Sequence, residues 1–213
     1  MDAWQRNRTE DEWSDGSDNG ALVAPGNYTV GFATRTGGVT TELGLIRDFK
    51  VLPLGEGALK GAAPEEVGRF QRQLAEVTRD HSGAVARVAE LIERMGAMQS
   101  VMKRTPGALG QLAVETNGLT QRLKGLGRTL SGDPLLEAMN EPGAPSVASR
   151  LSHVSIGTKY STYGPTPAHR ESLAIAQREV RAVLEAIEEI REIELPRYDS
   201  MLKSLGAPWS PGR

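Results

Sequence analysis

Ala24-Pro25-Gly26-Asn27-Tyr28-Thr29-Val30, continuing through Gly31-Phe32-Ala33, decides the architecture. Its opening is a turn that feeds a strand. Tyr28, Val30 and Phe32 then alternate with Thr29, Gly31 and Ala33, the period of two that gives a strand one buried face. Thr36-Gly37-Gly38 reads as a hairpin turn, because glycine takes positive φ at little cost. Val39 to Leu45 and Asp48 to Leu54 read as roughly two returning strands with a break near Gly44. Pro53 confines the last of them to a sheet edge or a strand end. No strand signal follows. Two or three strands are marginally stable in water, so this sheet is expected to need companions, and the chain reads as the tail of a larger protein.

Behind the strands the periodicity changes. Gly55 to Gly61 is a linker, and Pro64-Glu65-Glu66 opens a helix with proline early and acids in the first turn, where the macrodipole favours them. Val67, Phe70, Leu74, Val77, His81, Ala84, Val88, Leu91, Met95, Met98 and Met102 follow at alternating spacings of three and four, the seam of a long packed helix. A second seam is Leu109, Leu112, Thr116, Leu119, Leu123, Leu126 and Leu130. A third is Leu173, Ala176, Val180, Val183, Ile187 and Ile190, entered through Thr166 as N-cap and Pro167. Pro196 is expected to kink or end that helix, and the seam resumes displaced at Leu195, Tyr198, Leu202 and Leu205. The first and third helices run to about 40 residues, or about 60 Å, and the second to about half of that. A short amphipathic piece with Val147, Leu151 and Val154 on one face is expected to fill the uncovered end. Lys103, Arg104, Arg122, Lys124 and Arg128 around the second helix complement Glu185, Glu188, Glu189, Glu192 and Glu194 on the third.

The totals narrow the chemistry. In 213 residues the net charge is −2 with a pI near 6.0, which offers no electrostatic case for nucleic acid or an anionic membrane. Hydrophobic content of 38% with only 5% aromatics favours helices packed through aliphatic side chains. The absence of cysteine removes disulfides, thiolate metal sites and cysteine nucleophiles. Met1-Asp2-Ala3-Trp4-Gln5-Arg6-Asn7 lacks an apolar core, so no signal peptide is expected and the chain as written is expected to be cytoplasmic. No apolar run is long enough to span a bilayer.

Individual residues point to structure before catalysis. His81 falls on an apolar seam with no second ligand three or four residues away, which reads as packing at the helix interface. His153 and His169 flank the junction between the short helix and the third long one. Capping and surface roles fit them better than a two-histidine metal site. Asp15-Gly16-Ser17-Asp18-Asn19-Gly20 begins like a calcium loop, but Gly26 stands where the twelfth-position glutamate belongs. The glutamates of the third helix lie on one solvated face, whereas a glycosidase needs two carboxyls across a cleft. No phosphate-binding glycine loop and no Gly-x-Ser-x-Gly elbow is present. Met95, Met98 and Met102 read as core filling rather than an adaptable binding surface. No cofactor, metal or catalytic residue is expected. Trp4, Trp13, Tyr28 and Phe32 are the candidate partner-facing residues, since an unpaired sheet edge invites strand addition.

Several stretches resemble the C-terminal region of bacterial sortilin-like, BNR-repeat β-propeller proteins, a family often labelled glycosyl hydrolases. They are Glu12-Trp13-Ser14-Asp15-Gly16, Leu22-Val23-Ala24-Pro25-Gly26-Asn27-Tyr28-Thr29-Val30, Phe70-Gln71-Arg72 and Leu130-Ser131-Gly132-Asp133. Asn140-Glu141-Pro142, Ser161-Thr162 with Pro165-Thr166, and Gly206-Ala207-Pro208-Trp209-Ser210-Pro211-Gly212-Arg213 complete the likeness, which covers about residues 13 to 213. In that family a propeller precedes an immunoglobulin-like sandwich and then helices. The resemblance implies partial immunoglobulin-like strands ahead of the helices; with the helix lengths above, the expected chain is α+β, mostly α, its helices an antiparallel three-helix bundle with an extra short helix. The divisions are a polar segment 1–21, partial sandwich strands 22–56, a linker 57–63, and the bundle with its tail 64–213. The implied partner is a propeller and sandwich portion of the same or a homologous protein, and the full-length relatives would be secreted or periplasmic. The expected function is a non-catalytic accessory and interaction module. The rivals are one piece of a sugar-hydrolysing enzyme and a self-associating bundle. Propeller analogy does not transfer an activity.

Overall fold

The computed structural model describes residues 23–53, 61–108, 110–159, 161 and 163–208. The chain divides between Leu52 and Pro53 into two units. The described residues are mostly helical, with one two-stranded antiparallel sheet, so the architecture is α+β.

In the first unit, β1 (Gly26–Thr36) and β2 (Val39–Val51) form a hairpin. Gly37 and Gly38 connect them at φ +59° and +84°. Positive φ at both loop positions gives the turn whose twist matches the flanking strands. Thr36 pairs with Val39, Tyr28 with Phe49, and Gly26 with Val51. Midway, one residue of β1 lies between Gly31 and Ala33 while three of β2 lie between Ile46 and Glu42. Gly44, at φ +65°, makes that excursion. The expected break near Gly44 is thus an irregularity inside one 13-residue strand. Because the surplus on β2 is two residues, side-chain alternation stays in phase on both sides of it. The third expected strand is absent among the described residues, and Leu54, where it was to end, lies outside them.

The second unit contains α1 (Pro64–Met102), α2 (Gln111–Ser131), α3 (Pro134–Ala138), α4 (Val147–Lys159), α5 (Pro167–Glu189), a π-helical turn (Ile190–Glu194) and α6 (Leu195–Ser204). The seams read from spacing are the buried ones. On α1, Phe70, Leu74, Val77, Ala84, Val88, Leu91, Met95, Met98 and Met102 are buried; on α2, Leu112, Leu119, Leu123 and Leu130; on α5, Leu173, Ala176, Val180, Val183 and Ile187. They join Val147, Leu151 and Val154 of α4 in one continuous core. The three methionines are core, as expected. Leu109 lies outside the described residues.

Specific contacts give the directions. Gln99 donates to Asn117 and Thr120 at 3.0 and 3.1 Å, and the His81 ring meets the Leu130 carbonyl at 3.1 Å, so α2 runs opposite to α1. Glu66 to Arg170 (2.6 Å), Gln73 to Gln177 (3.0 Å) and Arg94 to Asp199 (2.7 Å) run α5 and α6 alongside α1 in the same direction. Gln71 donates to the Thr158 carbonyl at 3.4 Å, which places α4 beside the first part of α1, where α2 does not reach. The anticipated charge pairing is partly realised. Arg122 meets Glu194 at 2.7 Å as anticipated, while Arg197 meets Glu115 with the signs reversed between the helices. Arg128 instead pairs with Asp133, and Glu188 with Arg87 and Arg191.

Regular α-helix α5 stops at Glu189, ahead of the expected break at Pro196, and helical residues continue through the π turn into α6. Between Ile190 and Leu195 the seam steps by five, and the Leu195 N–H donates to the Ile190 carbonyl. One extra residue is absorbed as a π turn, and Pro196 falls in the first turn of α6, where its missing donor costs least. Beyond it Leu195, Tyr198 and Leu202 are buried, while Leu205 is 39% exposed and falls off the seam. Burial holds the Tyr198 phenol above its usual range; the Glu194 carboxylate adds to that, and Arg197 and Arg122 oppose it.

The entry to α1 is locked to the entry to α5. The Ala62 N–H donates to the Tyr163 carbonyl at 2.9 Å. Beside it Gly164 sits at φ +91°, and a Cβ there would lie 2.6 Å from the Ala62 Cβ. Gly164→Ala is expected to cost about 1–3 kcal/mol through the left-handed backbone alone, with the clash added. Chemical denaturation checks it; a change under 0.5 kcal/mol would show that the lock is loose.

Candidate interaction face of the β-hairpin

Successive side chains of a strand leave on opposite sides, and the register assigns each one. Tyr28 and Val30 share a side with Val39, Phe49 and Val51 by register, and Phe32, Leu43 and Leu45 fall on that side by alternation from the paired residues next to them. The other side carries Asn27, Thr29, Ala33, Arg35, Thr40, Glu42, Ile46, Asp48 and Lys50. Observed contacts agree with this assignment. The Tyr28 and Phe49 rings stack at 5.8 Å on the apolar side, and Thr29 Oγ1 donates to Asp48 Oδ1 at 2.7 Å on the polar side. The Tyr28 hydroxyl donates to the Ala24 carbonyl at 2.7 Å, which ties the entry turn to the strand.

The apolar side is open to solvent. Phe32 is 58% exposed, Leu45 57% and Phe49 49%, whereas a side chain on a covered sheet would be nearly dry. Arg47 is the one charged residue on this side, and its guanidinium donates to the Ile46 carbonyl at 2.8 Å. Of the four residues singled out from sequence, Tyr28 and Phe32 stand on this side, four positions apart on β1 with Val30 between them. Trp4 and Trp13 lie outside the described residues. The β2 contribution from Val39, Leu43, Leu45, Phe49 and Val51 was missed. Their alternation across Gly44 is visible in the sequence, but only the register shows that it stays in phase with β1.

The remaining candidates resolve into structural parts. The His81 ring bonds a carbonyl oxygen at the end of α2, so its Nε2 carries the proton. His153 and His169 come together with ring centroids 5.2 Å apart. The Thr166 N–H donates to His169 Nδ1 and the His169 N–H to Thr166 Oγ1, both at 3.3 Å, so His169 closes a reciprocal N-terminal cap on α5. Its ring lies against Gly157, where a Cβ would collide with it. Among the described residues no three His, Asp or Glu side chains gather as a metal site, and no helix is long and apolar enough to cross a membrane. An open groove beside α3, lined by Arg128, Asp133, Glu137, Asn140, Glu141 and Glu179, holds the Arg128–Asp133 pair and the Glu179 carboxylate that faces Arg150. The Asp15–Gly20 turn lies outside the described residues. Comparison with protein families, with curated proteins and with solved structures finds no match to this chain.

Proposed function

We propose that the chain is a non-catalytic interaction module, in which the hairpin completes a β-sandwich supplied by a propeller-bearing partner of the sortilin-like, BNR-repeat kind. In this reading β1 and β2 are the last two strands of an immunoglobulin-like sandwich. The helical unit is an antiparallel three-helix bundle in which α4 continues the column begun by α2. The observation that carries the proposal is the open apolar side of the hairpin. Exposed apolar surface of this extent marks an interaction site.

The two edges of the hairpin favour the same reading. Sheet edges left in solvent are guarded by bulges, charges and proline. β2 has the Gly44 irregularity and the charges Glu42, Arg47, Asp48 and Lys50, and Pro53 follows it. β1 is regular and uncharged from Gly26 to Thr34. β2 therefore suits the outer edge of a finished sheet, and β1 suits an inner strand. Tyr28 and Phe32 are its contact residues on the apolar side, and Trp4 and Trp13 are assigned to the same partner surface.

The test is titration calorimetry of this chain against the propeller-and-sandwich portion of a sortilin-like BNR-repeat protein. Binding is expected, weakened at least about tenfold by Phe32→Glu, which leaves a charge against the covering layer. Ala33→Glu, on the opposite side, should leave it within about twofold. No binding, or equal sensitivity on both sides, overturns the proposal. Turnover of a glycoside by the chain itself, abolished by substituting one glutamate, would favour the sugar-hydrolysing alternative.

A further inference from the structure

The apolar side of the hairpin matches a copy of itself. Val30, Phe32, Val39, Leu43, Leu45 and Phe49 are 40–67% exposed. With roughly 150–250 Å² for a full large side chain, they present on the order of 600 Å². A standard stable interface takes about 800 Å² from each partner, and weaker reversible ones take less. One hairpin therefore carries enough apolar area for a reversible pair.

We infer that two copies of this chain associate through these sides, hairpin against hairpin, as a two-layer sandwich of two strands each. Stacked sheets lie about 10 Å apart with interdigitated side chains. A two-stranded hairpin, marginal by itself, gains most from such a second layer. Charge permits the contact, because this side carries no carboxylate and one cation, Arg47. A twofold axis along the strands lays each β1 over the β2 of the second copy, an isologous contact. That arrangement sends the two Arg47 side chains to opposite long edges, where they stay wet. The side with Thr29, Asp48 and Lys50 remains in water. The inference does not rest on the docking reading. The two occupants exclude one another, so the pair is the state of the undocked chain.

Sedimentation velocity of the full chain over about 1–200 μM, with a Kd in the micromolar class expected of a small interface, tests it. The sedimentation coefficient should rise from monomer to dimer across that range. Phe32→Glu and Leu45→Glu should each weaken association at least about tenfold, and Ala33→Glu should leave it within about twofold. If the glutamates unfold the hairpin, the native cysteine-free sequence supplies a second measurement. Thr34→Cys, on the apolar side, should be linked between chains by a bismaleimide, and Ala33→Cys should not. A monomer at every concentration overturns the inference and leaves the docking assay to be decided separately. A dimer insensitive to Phe32→Glu and Leu45→Glu, or equally sensitive to Ala33→Glu, also overturns it.

Discussion

Deleting Ile193 is expected to destabilise the helical unit by about 3 kcal/mol, and adding Pro196→Ala to that deletion should recover most of the loss. The deletion removes little packing, since Ile193 is 64% exposed. It shortens the five-residue step between Ile190 and Leu195 to four, which suits a regular α-helix. The proline then falls inside that helix, where its ring meets the carbonyl four residues back and a hydrogen bond is lost. Alanine removes both faults. Urea melts of the three variants followed by circular dichroism decide the matter. If Pro196→Ala fails to rescue the deletion, the π turn is held by something other than the proline and the displaced seam.

Truncation of Leu123 to alanine should cost about 2–5 kcal/mol, the usual penalty for a fully buried leucine whose surroundings only partly collapse. Leu123 is wholly buried on α2, the helix that packs against α1, α4 and α5. Small domains are stable by about 5–15 kcal/mol, so the loss is a large share of the whole. Val114→Ala on the same helix is the control. Val114 is 72% exposed, and its truncation should fall within about 0.5 kcal/mol. Denaturant midpoints at unchanged slope measure both. A cost below 1 kcal/mol at Leu123 would mean that α2 is not clamped in the core.

The helical unit was largely legible because a helix in water must bury one stripe, and spacings of three and four declare that stripe locally. Val67 through Met102 could be placed on the core side of α1 without knowing what covers them. The five-residue step after Ile190 was equally visible as a displaced seam, but the form of the interruption was not. Pro196 in isolation argues for a kink. Only backbone bonding by π geometry reconciles the proline with a continuous helix, since it shifts the proline into a position where no donor is needed.

The hairpin was legible in part. Alternation named Tyr28 and Phe32, and the Gly37-Gly38 loop named the turn. Whether Leu43 and Leu45 join them depends on whether Gly44 adds one residue or two to β2. One would have turned half of the strand over; two leave it in phase. Similarly, His153 and His169 are 16 positions apart in sequence, and nothing local states that their rings meet.

Composition and periodicity alone determined that this chain forms a short β segment followed by long amphipathic helices, because those patterns report how each element divides itself between water and core. Tertiary structure alone decided which of the strand residues make one continuous apolar side and that a π turn carries the helix past Pro196. Each of these depends on the register of one segment against its neighbours, and register is set by pairing and packing rather than by any residue's own preference.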